Sequence, residues 1–261
     1  MQRYFVSAEQ FEGRDSVRLT EDDAFHAVRV MRMKEGEKFI VSDGASRVAL
    51  AAVEEASAAE VRARIVEELP MESEPAWSVT IAQSLPKGDK MELVIQKGTE
   101  IGAYRFAPFQ SERMIVQYDG KKEAKRLERW GKIAKEAAEQ AHRCIVPQVE
   151  AVRSWRELTD SISDFDLALF CYEREGDGAK GKGVKDALLE WKRSCGGELP
   201  DSPKLLLIVG PEGGFTEAEA KGAEAAGAIV VGLGKRILRT ETAGIVGLTC
   251  LLYEAGEMGG A

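Results

Sequence analysis

Leu205-Leu206-Leu207-Ile208-Val209-Gly210-Pro211-Glu212-Gly213-Gly214-Phe215 decides the reading of this chain. Five apolar residues in a row, closed by Gly-Pro, describe a strand buried on both faces, as in a parallel sheet. Thr216 then stands as an N-cap with Glu219 three residues on, a capping box that opens a helix over 217–226. The same design returns at Ile229-Val230-Val231-Gly232-Leu233-Gly234, followed by 235–239, with Thr240 as the expected N-cap and Glu241 in the first helical turn. In open α/β sheets ligands bind outside the carboxyl ends of strands, and glycines let the backbone approach them closely, so both loops are expected to line one pocket. Neither loop is GxGxxG, and no Gly-Lys-Ser/Thr follows the glycines, so neither is a phosphate loop. Glu212 would repel a pyrophosphate. An uncharged or cationic ligand held by backbone fits better, with plain tight turns as the alternative.

Outward from these loops, apolar strands alternate with helices back to residue 78. Strands are expected at 78–84, 105–109, 167–171, 204–209 and 228–233, and helices at 90–101, 121–142, 154–162, 184–194, 217–226 and 241–254. Residues 1–68 read differently, as short β segments at 3–6, 17–19, 38–42, 47–53 and 61–66, with a single helix over 22–31. Leu69-Pro70-Met71-Glu72-Ser73-Glu74-Pro75 carries two prolines and no periodicity, which places a boundary between a β-rich domain, 1–70, and an α/β domain, 71–261. The length of 261 residues suits two such domains. Stretches 176–183 and 194–202 read as surface loops.

The net charge of −8 argues against non-specific nucleic-acid binding, but the charge is unevenly distributed. Residues 71–155 carry 14 basic and 12 acidic side chains, between more acidic flanks, and Arg113 to Arg143 holds nine basic residues against five acids. That stretch fits a polyanion docked at one face, or else a solvated helix face balanced by Glu123, Glu128, Glu136 and Glu139. Within it Leu127, Trp130, Ala134, Ala137 and Ala141 form an apolar stripe at helical spacing, and Glu139 and Arg143 stand four apart as a candidate ion pair. The longest apolar run, 244–252, is too short to span a bilayer, and the opening residues read as a strand rather than a secretory leader, so a cytosolic protein is expected. Cys144, Cys171, Cys195 and Cys250 lack metal or redox spacing and read as free buried thiols. His26 and His142 are given no chemistry.

The glycine loops, read as Gly210-Pro211-Glu212-Gly213-Gly214-Phe215 and as Leu233-Gly234-Lys235-Arg236-Ile237-Leu238-Arg239-Thr240-Glu241-Thr242-Ala243, resemble the signature of the RsmE family of 16S ribosomal RNA (uracil-N3) methyltransferases. Arg3-Tyr4-Phe5-Val6, Gln96-Lys97-Gly98-Thr99-Glu100-Ile101-Gly102, Ser111-Glu112-Arg113, Arg129-Trp130 and Glu136 to Arg143 fall in that family's order and spacing, so the resemblance covers nearly the whole chain. The departures are small: Phe25-His26 where paired histidines are common, Gly98 and Ile101 where the family has Ala and Leu, and Ala141-His142 where it has Ser-Gly.

The resemblance implies a SPOUT-type α/β domain with a C-terminal trefoil knot, preceded by a small PUA-like β-barrel that binds RNA, assembled as a homodimer. It implies S-adenosyl-L-methionine as methyl donor, held by Val209, Gly210, Pro211, Glu212, Gly213, Leu233, Gly234, Ile237, Leu238 and Arg239, with Phe170 and Tyr172 nearby, and no metal. Lys121, Lys122, Lys125, Arg126, Arg129 and Arg143 are the expected RNA contacts. Methylating N3 of uracil requires loss of the N3 proton. Arg239 and Arg113 are therefore candidates to steady the uracil anion, and Glu139 or Glu241 to take the proton. By analogy with SPOUT dimers, Arg113 is expected to enter the partner's site. A non-enzymatic RNA-binding assembly factor and an enzyme acting on a small nucleoside are the competing readings; intact glycine loops with Arg239 and Glu241 favour the methyltransferase over the assembly factor.

Overall fold

The computed structural model describes residues 1–116, 120–172, 182–196 and 198–259. Most of the expected 176–183 loop, and residue 197 of the 194–202 loop, lie outside the described residues. The chain divides into two compact units, Met1–Glu74 with Lys135–Val146, and Pro75–Ala134 with Pro147–Ala261. The first unit is thus built from two separate stretches of sequence, and its second stretch has no composition break to announce it.

In the first unit β1 (Arg3–Phe5), β2 (Phe11–Glu12), β3 (Ser16–Thr20), β4 (Lys38–Ser42), β5 (Val48–Ala56) and β6 (Glu60–Leu69) form one sheet in the order β1-β4-β5-β6-β3-β2. Its pairings are antiparallel except β1 with β4. Alternation does the sorting: in β3 Val17 and Leu19 point inward while Ser16, Arg18 and Thr20 stay half-exposed, and they meet Tyr4, Phe39, Val41 and Val61 in the core. β2 was too short to leave a periodic signal. The expected helix over 22–31 is a single α turn, α1 (Glu21–Phe25), that widens into a π turn over His26–Val30. Both pitches bury Ala24 and Ala27, so the apolar spacing could not distinguish them. Arg32 then adopts a left-handed φ of 56° where the segment ends.

In the second unit β7 (Ser78–Ser84), β8 (Arg105–Gln110), β9 (Gln148–Val149), β10 (Arg153–Ser154), β11 (Leu167–Cys171), β12 (Lys204–Val209) and β13 (Ile229–Val231) make a sheet ordered β10-β8-β7-β12-β11-β13, with β9 also on β8. Every pairing in it is parallel. The helices are α2 (Lys90–Ile101), α3 (Gly120–Gln140), α4 (Trp155–Asp160), α5 (Val184–Ser194), α6 (Glu217–Ala225) and α7 (Thr240–Glu254), and the division between the units falls within α3. One sheet face buries Ala82, Ala107, Phe170, Leu206 and Ile208 with residues of α4 and α6. On the other face α7 packs so closely that a Cβ at Gly247 would lie 2.7 Å from Leu207 Cδ2. Among the described residues no helix is long and apolar enough to cross a membrane.

Several expectations shift. β13 stops at Val231 rather than 233, because Gly232 bridges to Gly183 instead. α4 is shorter than 154–162: Ser154 is its N-cap and a 3-10 turn follows at Ile162–Asp164. Trp130, Ala134 and Ala137 of the apolar stripe are buried, but Leu127 and Ala141 only half so. The cysteines are unpaired, and only Cys144 is fully buried.

Candidate active site

Strands of a parallel sheet point one way, so the loops leaving β7, β8, β12 and β13 gather at its carboxyl edge. The β12 loop is set by Phe215, 3% exposed, whose ring lies 4.2 Å from that of Phe170 and 6.3 Å from that of Phe109. Thr216 caps α6 as expected, with Glu219 bonded back to the Thr216 amide at 2.8 Å. Glu219 also accepts the Glu112 amide at 2.8 Å, which ties the β8 loop to the same helix start. Next along that loop Arg113 lies against Gly213: its Nη1 donates to the Gly213 carbonyl at 3.4 Å, and a Cβ on Gly213 would sit 3.0 Å from the Arg113 carbonyl oxygen.

The two glycine loops are joined directly. Thr240 is not the N-cap of α7; Arg239 is, and Thr240 is the first helical residue. Its hydroxyl has another use, donating to the Gly210 carbonyl at 2.5 Å while accepting from Gln83 Nε2 at 2.8 Å. Gln83, at the end of β7 and fully buried, also reaches the Gly210 carbonyl at 3.3 Å. Glu212 accepts the Lys87 amide at 3.1 Å and Lys90 Nζ at 2.7 Å. Burial pushes the Glu212 carboxyl up, but the Lys90 ammonium and the amides outweigh it and hold its pKa below the usual range. Glu241, in the first turn of α7, stands 3.6 Å from the same Lys90 nitrogen.

Beyond β13 the backbone is open. Gly234 has φ 102° with nothing within 4 Å of a Cβ built on it, so a side chain would be both strained and aimed into free space. Ile237 is 84% exposed, Arg239 is exposed and Leu238 is half-buried. Such a cradle suits a ligand held by main-chain groups. Beside the β12 loop Lys90 pairs with carboxylates and Arg113 donates to a carbonyl, whereas Lys235, Arg236 and Arg239 beyond β13 are exposed. Val209 and Phe170 are buried, while Tyr172 is half-buried. Among the described residues no group of three or more His, Cys, Asp or Glu is arranged to hold a metal ion.

Two expected residues lie in the first unit. Glu139 lies in the first unit, where Oε1 accepts the Phe5 amide at 3.4 Å and stands 3.8 Å from Lys135, which itself bonds Asp23 at 2.8 Å. Burial raises the Glu139 pKa to about 7 against the pull of the Lys135 charge. Tyr4 nearby is raised by burial and by the Asp23 and Glu139 charges, and its hydroxyl meets His26 Nδ1 at 3.1 Å. Arg143 does not pair with Glu139. Its side chain is 4% exposed and bound to Glu74, which also accepts the amides of Cys144 and Ile145, so it is withdrawn from any RNA-facing surface. Arg126 and Arg129 share Glu92, at 3.0 and 2.6 Å, while Lys121, Lys122 and Lys125 are exposed. Sequence reasoning missed Gln83, Lys87 and Lys90, whose partners lie more than a hundred residues away.

A family model described as an RNA methyltransferase domain matches residues 72–252, and one described as an RNA methyltransferase PUA domain matches residues 19–66. The chain is 40% identical over 256 residues to ribosomal RNA small subunit methyltransferase E of Bacillus subtilis, covering 97% of each. It is 34% identical to the protein of the same name from Mycobacterium bovis, over 87% of this chain and 82% of that one. Among solved structures it is similar to a ribosomal RNA small subunit methyltransferase E from Neisseria gonorrhoeae bound to S-adenosyl methionine, with TM-score 0.81 and 30% identity over 97% of this chain and 98% of that one.

Proposed function

Because the chain belongs to the family of ribosomal RNA small subunit methyltransferase E, we propose that it uses S-adenosyl-L-methionine to methylate N3 of one uridine in 16S ribosomal RNA. The observation that carries this reading is the pair of glycine loops bolted together through Gly210, Thr240 and Gln83, with the open backbone around Gly234 beside them. Gly210 to Gly213, Leu233, Gly234, Ile237 and Leu238 offer main-chain groups to the cofactor, and Glu212 keeps that wall anionic. When bound, the cofactor supplies an electrophilic methyl group on a sulfonium.

The chain's own task is to prepare the nucleophile. Uracil N3 attacks only after its proton has left, and the resulting charge spreads onto the flanking carbonyl oxygens. Arg239, exposed at the head of α7, and Arg113, at the Gly213 turn, bring guanidinium groups to that charge. Glu241, with Lys90 as counter-ion, is the carboxylate set to accept the N3 proton. Glu139 is left out of this step, because its carboxylate is engaged by Phe5 and Lys135. The methyl group moves from sulfur to N3, the proton passes to the carboxylate, and the sulfonium becomes a neutral thioether.

We assign RNA binding to the β-rich domain together with Lys121, Lys122 and Lys125, a SPOUT trefoil knot to the C-terminal part of the second unit, a homodimeric assembly and a cytoplasmic setting. Mass spectrometry of 16S ribosomal RNA from cells lacking this protein tests the reaction. One N3-methyluridine should disappear and return when the RNA or small subunit is treated with purified protein and cofactor; an unchanged modification profile would overturn the assignment.

A further inference from the structure

Lys90 is the first residue of α2, and its ammonium has two carboxylates around it, each carried by a different glycine-loop segment. Glu212 sits inside the β12 loop and accepts from Nζ at 2.7 Å. Glu241 follows the β13 loop; its side chain is 12% exposed, and its Oε2 lies 3.6 Å from Nζ with no hydrogen bond to any described group. A buried carboxylate oxygen in that state depends on the nearby ammonium. Without it, the largely buried carboxylate of Glu241 and the more exposed one of Glu212 would face each other across the loops, and the burial of Glu241 leaves their repulsion only partly screened.

We propose that Lys90 is a positioning residue, the shared counter-ion that holds the two glycine loops at their working separation. It complements the neutral brace of Gln83, Thr240 and Gly210. The neutral brace fixes the bases of the loops, and Lys90 fixes their outer parts through Glu212 and Glu241. The Lys87 amide, bonded to the same Glu212 oxygen as Nζ, holds the carboxylate toward α2, so the clamp is pre-oriented by backbone. Its effect on catalysis rests on the proposed methyl transfer, but its effect on the loops does not.

The test is amide hydrogen exchange on the full chain, read separately over 210–215 and 232–239. Lys90→Met should speed exchange about tenfold in both segments together, the size expected from losing a charge-assisted hydrogen bond. Lys90→Arg should stay within about threefold of the wild type, since the charge persists. Glu212→Gln added to Lys90→Met should recover part of the protection over 232–239 by removing the repulsion. Calorimetry should show S-adenosylmethionine affinity following the same order. A lysine that merely supports α2 would leave both loops at wild-type exchange in Lys90→Met, or give a double variant no better than the single one, and either result overturns the proposal. A wild-type protein that binds no S-adenosylmethionine would refute the cofactor assignment, while the exchange data still decide the clamp.

Discussion

Glu139→Gln should stabilise the protein at alkaline pH and leave it nearly unchanged at acid pH. Burial carries the Glu139 carboxyl from 4.5 to about 7 in the folded state, with Asp23 and Glu136 pushing the same way and Lys135 and the Phe5 amide opposing. Between those two values the folded protein holds a proton that the unfolded chain has released. Stability therefore falls as pH rises through the window and is lowest above 7. At about 1.4 kcal/mol per pH unit the full effect would be ~3 kcal/mol, an upper bound. Water reaches this side chain, 18% exposed, and screening reduces the expected value to about 1–2 kcal/mol. Glutamine has no such ionisation, so the stability difference between variant and wild type should grow by that amount from pH 5 to pH 8. Urea titrations followed by circular dichroism at both pH values measure it, and other carboxylates cancel in the comparison. An equal difference at the two pH values, or a variant that is the less stable at pH 8, would refute the claim that Glu139 is ionised at a cost.

The remaining expectations concern the second unit and its RNA. Gly234→Trp should abolish S-adenosylmethionine binding in calorimetry while the fold persists, because the site has open space but a left-handed backbone that only glycine adopts without strain; unchanged affinity in a folded variant would remove this loop from the cofactor site. Replacing Lys121, Lys122 and Lys125 with Gln should weaken RNA binding and reduce the salt slope by roughly 0.7–0.9 for each lost phosphate contact, with cofactor affinity unmoved; identical slopes would make these lysines a solvated face. Arg113→Ala and Gly234→Trp should each be nearly inactive, and since Arg113 leans on Gly213 of its own chain, co-assembling the two should restore nothing. Recovery toward half of wild-type activity per heterodimer would instead place Arg113 in the partner's site.

Legibility followed the range of the interaction. β7, β11 and β12 and helices α2 and α5 match their expected bounds because an apolar run or amphipathic period is written within a dozen residues. The glycine loops and the Thr216 cap were equally local. The two-residue strands β9 and β10 left no trace, since their pairing with β8 depends on a neighbour some forty residues away. The misread pairs share one cause. Glu139 and Arg143 looked like partners at helical spacing, yet α3 ends at Gln140 and His142 takes a left-handed φ of 56°, which turns Arg143 away toward Glu74. Lys90 appeared only as a helix start, because Glu212 and Glu241 come more than 120 residues later.

The split first unit matters during synthesis. Its β strands are complete by Leu69, yet the Arg3 guanidinium bonds the carbonyl of Arg143, the Ser42 hydroxyl bonds that of Cys144, and Glu74 waits for the side chain and amides of the same segment. A ribosome adding 5–20 residues per second needs roughly 4–15 seconds to deliver the missing stretch, long beside the time a small sheet takes to form. Through that interval Arg3, Ser42 and Glu74 lack the partners that 143–145 supply, so the last step in completing the first unit waits on translation of the 75–134 part of the second.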